Sequence, residues 1–174
     1  MRSLVVMSLL VGPVATPAVA QDPSPTSSND SVHVDSQPAP PTPEQQQFLD
    51  GLRTAGRGVA QLKDGLDRLG RAQRGRDTLQ IRQAAKRLGG LCVAARGFIV
   101  SGRGAMEPKA YELPTRTAAK SLTVQLDSLS ASSATCQRAA GKTPAPITAE
   151  LVGRLRSYET ALAAFRTAIG LPNR

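Results

Sequence analysis

From residue 43 onward the apolar positions of this chain recur at alternating steps of four and three, and no stretch shows the two-residue alternation of a strand. Phe48, Leu52, Ala55, Val59, Leu62, Leu66 and Leu69 fall on one stripe of an α-helix. The same rhythm recurs in Ile81, Ala85, Leu88, Cys92, Ala95 and Ile99, and in Leu122, Leu126, Leu129, Ser133, Cys136 and Ala140. It returns a fourth time in Leu151, Leu155, Tyr158, Leu162, Phe165 and Ile169. Four stripes predict an all-α fold, an up-down-up-down four-helix bundle over residues 44–174. The helices are expected at about 43–72, 77–101, 114–140 and 148–169, each of ~25 residues and ~37 Å.

Local signals set those boundaries. Thr42-Pro43-Glu44-Gln45 reads as an N-cap threonine, a proline at the first helical position, and a glutamine that closes a capping box. Asp77 with Gln80, Pro114, and Thr148 mark the other three starts. Gly141 and Gly170-Leu171-Pro172 mark the ends of the third and fourth helices. Gly51, Gly58 and Gly65 share one heptad position beside the first seam, and Gly56 and Gly70 flank its other side. Interior glycine costs ~1 kcal/mol relative to alanine, so neighbouring helices are expected to approach closely there.

The segment 100–113 has no clear period and reads as loop or as an extension of the second helix to 113, kinked at Pro108. Cys92 and Cys136 bear on that choice. Both lie on seams, and a bridge between them requires an antiparallel register whose paired numbers sum to 228, a turn centred near residue 114. We expect that bridge, with the second helix extended.

Ahead of the helices, residues 1–20 place Arg2 before an apolar run that ends in Ala18-Val19-Ala20. This is the pattern of a signal peptide cleaved after Ala20, with Pro13 and Pro17 interrupting the run before it reaches the ~20 residues of a membrane span. Residues 21–43 hold six prolines and five serines, too little apolar surface to offset ordering, and are expected to be a disordered spacer. The expected product is exported, periplasmic or extracellular, and soluble, an environment in which cysteines pair.

Composition narrows the chemistry. The one histidine, His33, lies in the tail, and two cysteines are too few for a Cys₄ zinc or iron–sulfur site. The Cys-x-x-Cys-His of a c-type haem and the Glu-x-x-His pairs of di-iron bundles are both missing from the sequence. No metal or cofactor and no catalytic group is expected, so the reading is that of a non-enzyme. Charge adds the one positive signal. Residues 44–174 carry 21 basic and 10 acidic side chains. The up-down arrangement gathers Arg68, Arg71, Arg74, Arg76, Arg82, Lys86, Arg87, Arg138, Lys142, Arg154 and Arg156 at one pole. Such a pole attracts anionic surfaces such as lipid headgroups, envelope polysaccharide or nucleic acid.

Thr42-Pro43-Glu44-Gln45-Gln46 is similar to the Leu-Thr-x-x-Gln helix start of the small periplasmic Spy/CpxP-type chaperones, with Pro41 in place of the leucine. The similarity covers five residues, and it implies a chaperone-like binder of unfolded chains as the alternative function. The leading expectation is a non-catalytic interaction protein whose basic pole docks on an anionic envelope partner. A closed bundle with a hydrophilic surface would mark that reading, and an apolar groove rimmed with basic residues the alternative.

Overall fold

The computed structural model describes residues 40–142 and 144–172. The expected signal peptide, and the tail as far as residue 39 with His33, lie outside the described residues. Among the described residues the chain is all-helical, with four α-helices and no strand, consistent with a four-helix bundle. They are α1 (Pro43–Gly75), α2 (Thr78–Gly104), α3 (Thr115–Ala139) and α4 (Pro144–Ala168), with one 3₁₀ turn, Pro108–Ala110, between α2 and α3.

The starts of α1 and α2 follow the sequence signals. The Thr42 hydroxyl accepts from the Gln45 N–H at 3.3 Å while the Gln45 side chain accepts from the Thr42 N–H at 3.1 Å. The Asp77 carboxylate accepts from the N–H groups of Leu79 and Gln80 at 2.8 and 3.1 Å. Each bond satisfies an amide that no preceding turn can reach.

The end of α1 and the start of α4 differ from the expectation. α1 runs on to Gly75, and Arg76 rather than a glycine takes the left-handed cap, with φ 56°. The expected cap at Thr148 lies inside α4, which begins four residues earlier at Pro144. Pro144 and Pro146 both fall in its first turn, where the missing N–H groups have no intrahelical partner to lose. Gly141 follows the Ala140 cap of α3 but does not take the left-handed conformation, whereas Gly170, at φ 74°, does. After α4, Leu171 N–H reaches back to the Arg166 carbonyl at 2.8 Å, a Schellman closure.

The seams form the core. Phe48, Leu62, Leu69, Leu88, Ile99, Leu122, Leu126, Leu129, Leu151 and Phe165 are fully buried. Ser133, on the α3 seam, is buried without cost because its hydroxyl donates to the Leu129 carbonyl at 2.7 Å. Named contacts join α1 to α2, α2 to α3, α3 to α4 and α1 to α4. A Cβ on Gly58 would lie 2.5 Å from the Ala95 carbonyl oxygen, and one on Gly65 2.8 Å from the Leu88 side chain. The Cys92 and Cys136 sulfurs are at disulfide distance, 2.02 Å, with Cα atoms 6.1 Å apart, tying α2 to α3. Ser132 donates to Glu150 at 2.7 Å between α3 and α4. Lys63 pairs with Glu159 between α1 and α4.

Close approach holds for only part of the glycine set. Gly51, Gly58 and Gly65 are buried against α2, but Gly56 has open space where a Cβ would stand and Gly70 meets only the tip of Arg74. The glycines on the second flank of the seam therefore do not serve packing.

The expected register is present, but the expected helical extension of α2 to 113 is not. α2 ends at Gly104, and Glu107, just before Pro108, is extended at φ −96° and ψ 110°, as the ring of a following proline demands. With Cys92 level with Cys136, α3 projects about nine residues, ~14 Å, beyond the end of α2. The non-helical segment after Gly104 fills the space this leaves beside α1 and α3. Its Ala110 carbonyl accepts from the Gln45 side chain at 3.2 Å, and Met106 and Tyr111 are buried. Tyr111 packs edge-on against Phe48 and Phe165, with centroids 5.2 and 5.4 Å away.

Candidate functional site

The C-terminal half of α1 and the N-terminal half of α2 meet in the turn at Arg76-Asp77, and a groove of about 420 Å³ runs between them. Helical spacing places its side chains. Arg68 and Arg71 lie three residues apart on one face of α1, and Gln80, Gln83 and Arg87 lie at steps of three and four on the facing side of α2. Between these rims, Gly65, Ala72, Ala84, Leu88 and Leu91 make an apolar floor.

The charges are unevenly balanced. Asp64 accepts two bonds from the Arg68 Nε at 2.9 and 3.0 Å, and this contact raises Arg68 above its ordinary range, through the hydrogen bond first and the charge second. Asp64 and Arg68 continue with Arg87, Gly90 and Leu91 into an adjoining hollow of about 310 Å³. Arg71 and Arg87 are exposed, and no carboxylate contributes to the main groove. Guanidinium forks above an apolar floor can bind the oxygens of an anion while its stem rests on carbon. Among the described residues, no group of three or more His, Cys, Asp or Glu is placed to hold a metal ion.

The other expected pole residues are placed more widely. Arg74 and Arg76 are exposed at the end of α1, and Arg82 and Lys86 on α2. Arg138 is exposed in the last turn of α3, Lys142 in the following loop, and Arg154 on α4. Arg156 lines a different groove, of about 320 Å³, with Lys63, Asp67 and Glu159. That groove is mixed in charge and engages its lysine internally. Of the expected pole residues, Arg68, Arg71 and Arg87 line the α1–α2 groove, together with Gln80 and Gln83, whose signal in the sequence is their i, i+3 spacing ahead of Arg87.

Among the described residues no helix is long and apolar enough to cross a membrane. In comparisons with known proteins, no family model, no curated protein and no solved structure matches this chain.

Proposed function

We propose that this is an exported, non-catalytic interaction protein. In this reading cleavage after Ala20 frees a disordered spacer and an up-down-up-down helical bundle, whose basic pole docks on an anionic partner of the cell envelope. One observation carries the reading: Arg68, Arg71 and Arg87 come from two helices into a single groove whose own lining includes no acid. The paired cysteines support an oxidising compartment. Binding to phosphatidylglycerol vesicles or to heparin is expected to weaken at least tenfold between 50 and 200 mM salt, because each neutralised charge releases a counterion. Replacing Arg71, Arg74, Arg76 and Arg87 by glutamine is expected to weaken it further with helicity unchanged, since all four are exposed. Salt-independent binding, or none in dilute buffer, would leave the basic pole with a role in solubility alone.

The apolar floor of the same groove favours a second reading, a chaperone-like binder of unfolded chains. Suppression of client aggregation that persists at a salt concentration abolishing heparin binding would decide for it.

A further inference from the structure

α2 carries a second seam on the side turned away from the core. Leu79, Lys86, Val93 and Val100 share one heptad position, and Gly90, Gly97 and Gly104 stand four residues after the last three of them. From Lys86 onward they step by four and three, and from Leu79 to Gly104 the face is ~37 Å long. All seven are exposed, whereas Ala85, Leu88, Cys92, Ala95 and Ile99 of the inward seam are buried. Leu79 is 61 % exposed, Val93 48 % and Val100 51 %, so three large apolar side chains stand in water on one face of one helix. A Cβ on any of the three glycines would meet nothing within 4 Å.

The charge of this helix is one-sided. α2 has five basic residues and no acidic one. Arg103 pairs with Asp127 at 3.2 Å, but among the described residues no carboxylate pairs with Arg82, Lys86 or Arg96. Arg82 and Arg96 border the outer seam, and Lys86 stands within it. These features discriminate among occupants. A second copy of α2 would set like charges against each other, which disfavours that pairing. A bilayer imposes no heptad period and takes large side chains such as Trp, Phe and Leu, whereas here valine alternates with glycine. A partner helix does impose that period, a lysine within a seam fixes its register, and the flanking charges choose its sign. The molecule already contains such a contact: Gly51 and Gly58 of α1, at the same seven-residue spacing, face the α2 backbone at Gly102 and Ala95.

We propose that the outer face of α2 docks an acidic amphipathic helix of another protein. Its apolar ridge covers Val93, Val100 and the glycines between them, and its carboxylates meet Arg82, Lys86 and Arg96. This surface is separate from the groove that holds Arg71 between α1 and α2, and it does not depend on what binds there.

The probe is a fluorescent synthetic peptide of four heptads, each Leu-Glu-Ala-Leu-Glu-Ala-Glu, titrated with the purified protein and read by anisotropy. Saturable binding of one peptide per chain is expected, and a counterpart with lysine for glutamate is expected to bind about tenfold more weakly or not at all. The double variant Val93→Ser, Val100→Ser is expected to weaken binding about tenfold, the worth of two buried valines. Gly97→Gln enters open space, so it is expected to weaken binding without lowering the melting temperature, which separates lost docking from lost folding. Arg71→Gln, in the groove, is expected to bind the peptide as the parent does. Absence of saturable binding, equal affinity for the lysine peptide, or unchanged affinity in the valine or glycine variant would each overturn the assignment. Attachment to phosphatidylglycerol vesicles that needs Val93 and Val100 would overturn it in favour of a membrane, and self-association that needs them in favour of a second copy.

Discussion

Gly51 and Gly102 face each other across α1 and α2 with no side chain between them. A Cβ built on Gly51 lands 2.6 Å from the Gly102 carbonyl oxygen, and one built on Gly102 falls on the Gly51 carbonyl oxygen. Gly58 repeats the arrangement one heptad on, where a Cβ would lie 2.5 Å from the Ala95 carbonyl oxygen. Backbone, not a flexible side-chain tip, stands in the way at both sites.

That geometry opposes helix propensity, and the two can be separated by alanine. Gly58→Ala gains ~1 kcal/mol of propensity but forces two helices apart, and overpacking of this kind typically costs ~1–3 kcal/mol. A net loss in urea-melting midpoint is expected for Gly58→Ala and for Gly51→Ala. Gly56→Ala, which enters open space, is expected to gain ~0.5–1 kcal/mol. A Gly56→Ala variant no more stable than its parent would show that propensity does not limit α1.

The cysteine pair closes a loop of 44 residues' separation, which the chain-entropy model converts to ~3–4 kcal/mol of stabilisation. Thiol titration of the denatured, unreduced protein is expected to find no free thiol, and the Cys92→Ser, Cys136→Ser variant to lose stability of that order. Two titratable thiols would remove the bridge.

Tyr158 gives alkaline stability a sign. Burial first, then the neighbouring Glu159, push its phenol up to about 12, with Arg166 opposing. The unfolded phenol titrates near 10. Between these values the folded state keeps a proton that the unfolded state has released, so stability falls as pH rises. The loss approaches ~2–3 kcal/mol near pH 12 and is absent below about pH 9. Tyr158→Phe is expected to flatten this fall in urea midpoints taken from pH 8 to 11.5. A parent–variant difference that stays constant over that range would show that the phenol is not the cause.

At the C-cap of α1, Arg76 occupies a left-handed conformation, φ 56°, in which a Cβ costs ~1 kcal/mol or more. Arg76→Gly is expected to raise the melting temperature by a few degrees, corresponding to ~0.5–1 kcal/mol. A lower melting temperature would indicate that the arginine side chain contributes more than its backbone costs.

The four-three rhythm was enough to find the core because seam positions such as Leu62, Leu88, Leu126 and Phe165 have no choice of face once the helix forms. It also set the α2–α3 register, since two cysteines on seams can meet at only one offset. It could not place the start of α4. Thr148 has the chemistry of a cap, yet a first turn also tolerates Pro144 and Pro146, and the longer helix prevails. Nor could it distinguish Gly51 from Gly56, because close packing depends on which neighbour lies opposite. The excess of basic residues was legible in the sequence, but not which arginines converge. Arg71 and Arg87 share a groove through the pairing of α1 with α2, whereas Arg156 faces Lys63 and Glu159. Tyr111 was illegible as a core residue because the segment that carries it has no period to assign a face.

The link between Cys92 and Cys136 also determines what a broken backbone would mean for this molecule. Every peptide bond from residue 93 to residue 135 lies inside the loop that the two sulfurs close, including those around exposed Leu113. A protease that severs the chain there therefore makes two fragments that cannot separate: α1 with most of α2, and the end of α3 with α4, stay covalently attached. On a gel the nicked molecule should run as one species until reductant is added. Severing the turn near Asp77 instead would leave α1 held to α2 by packing alone. The stretch between Cys92 and Cys136, which includes the connection between α2 and α3, is thus where the polypeptide can be cut without releasing either half.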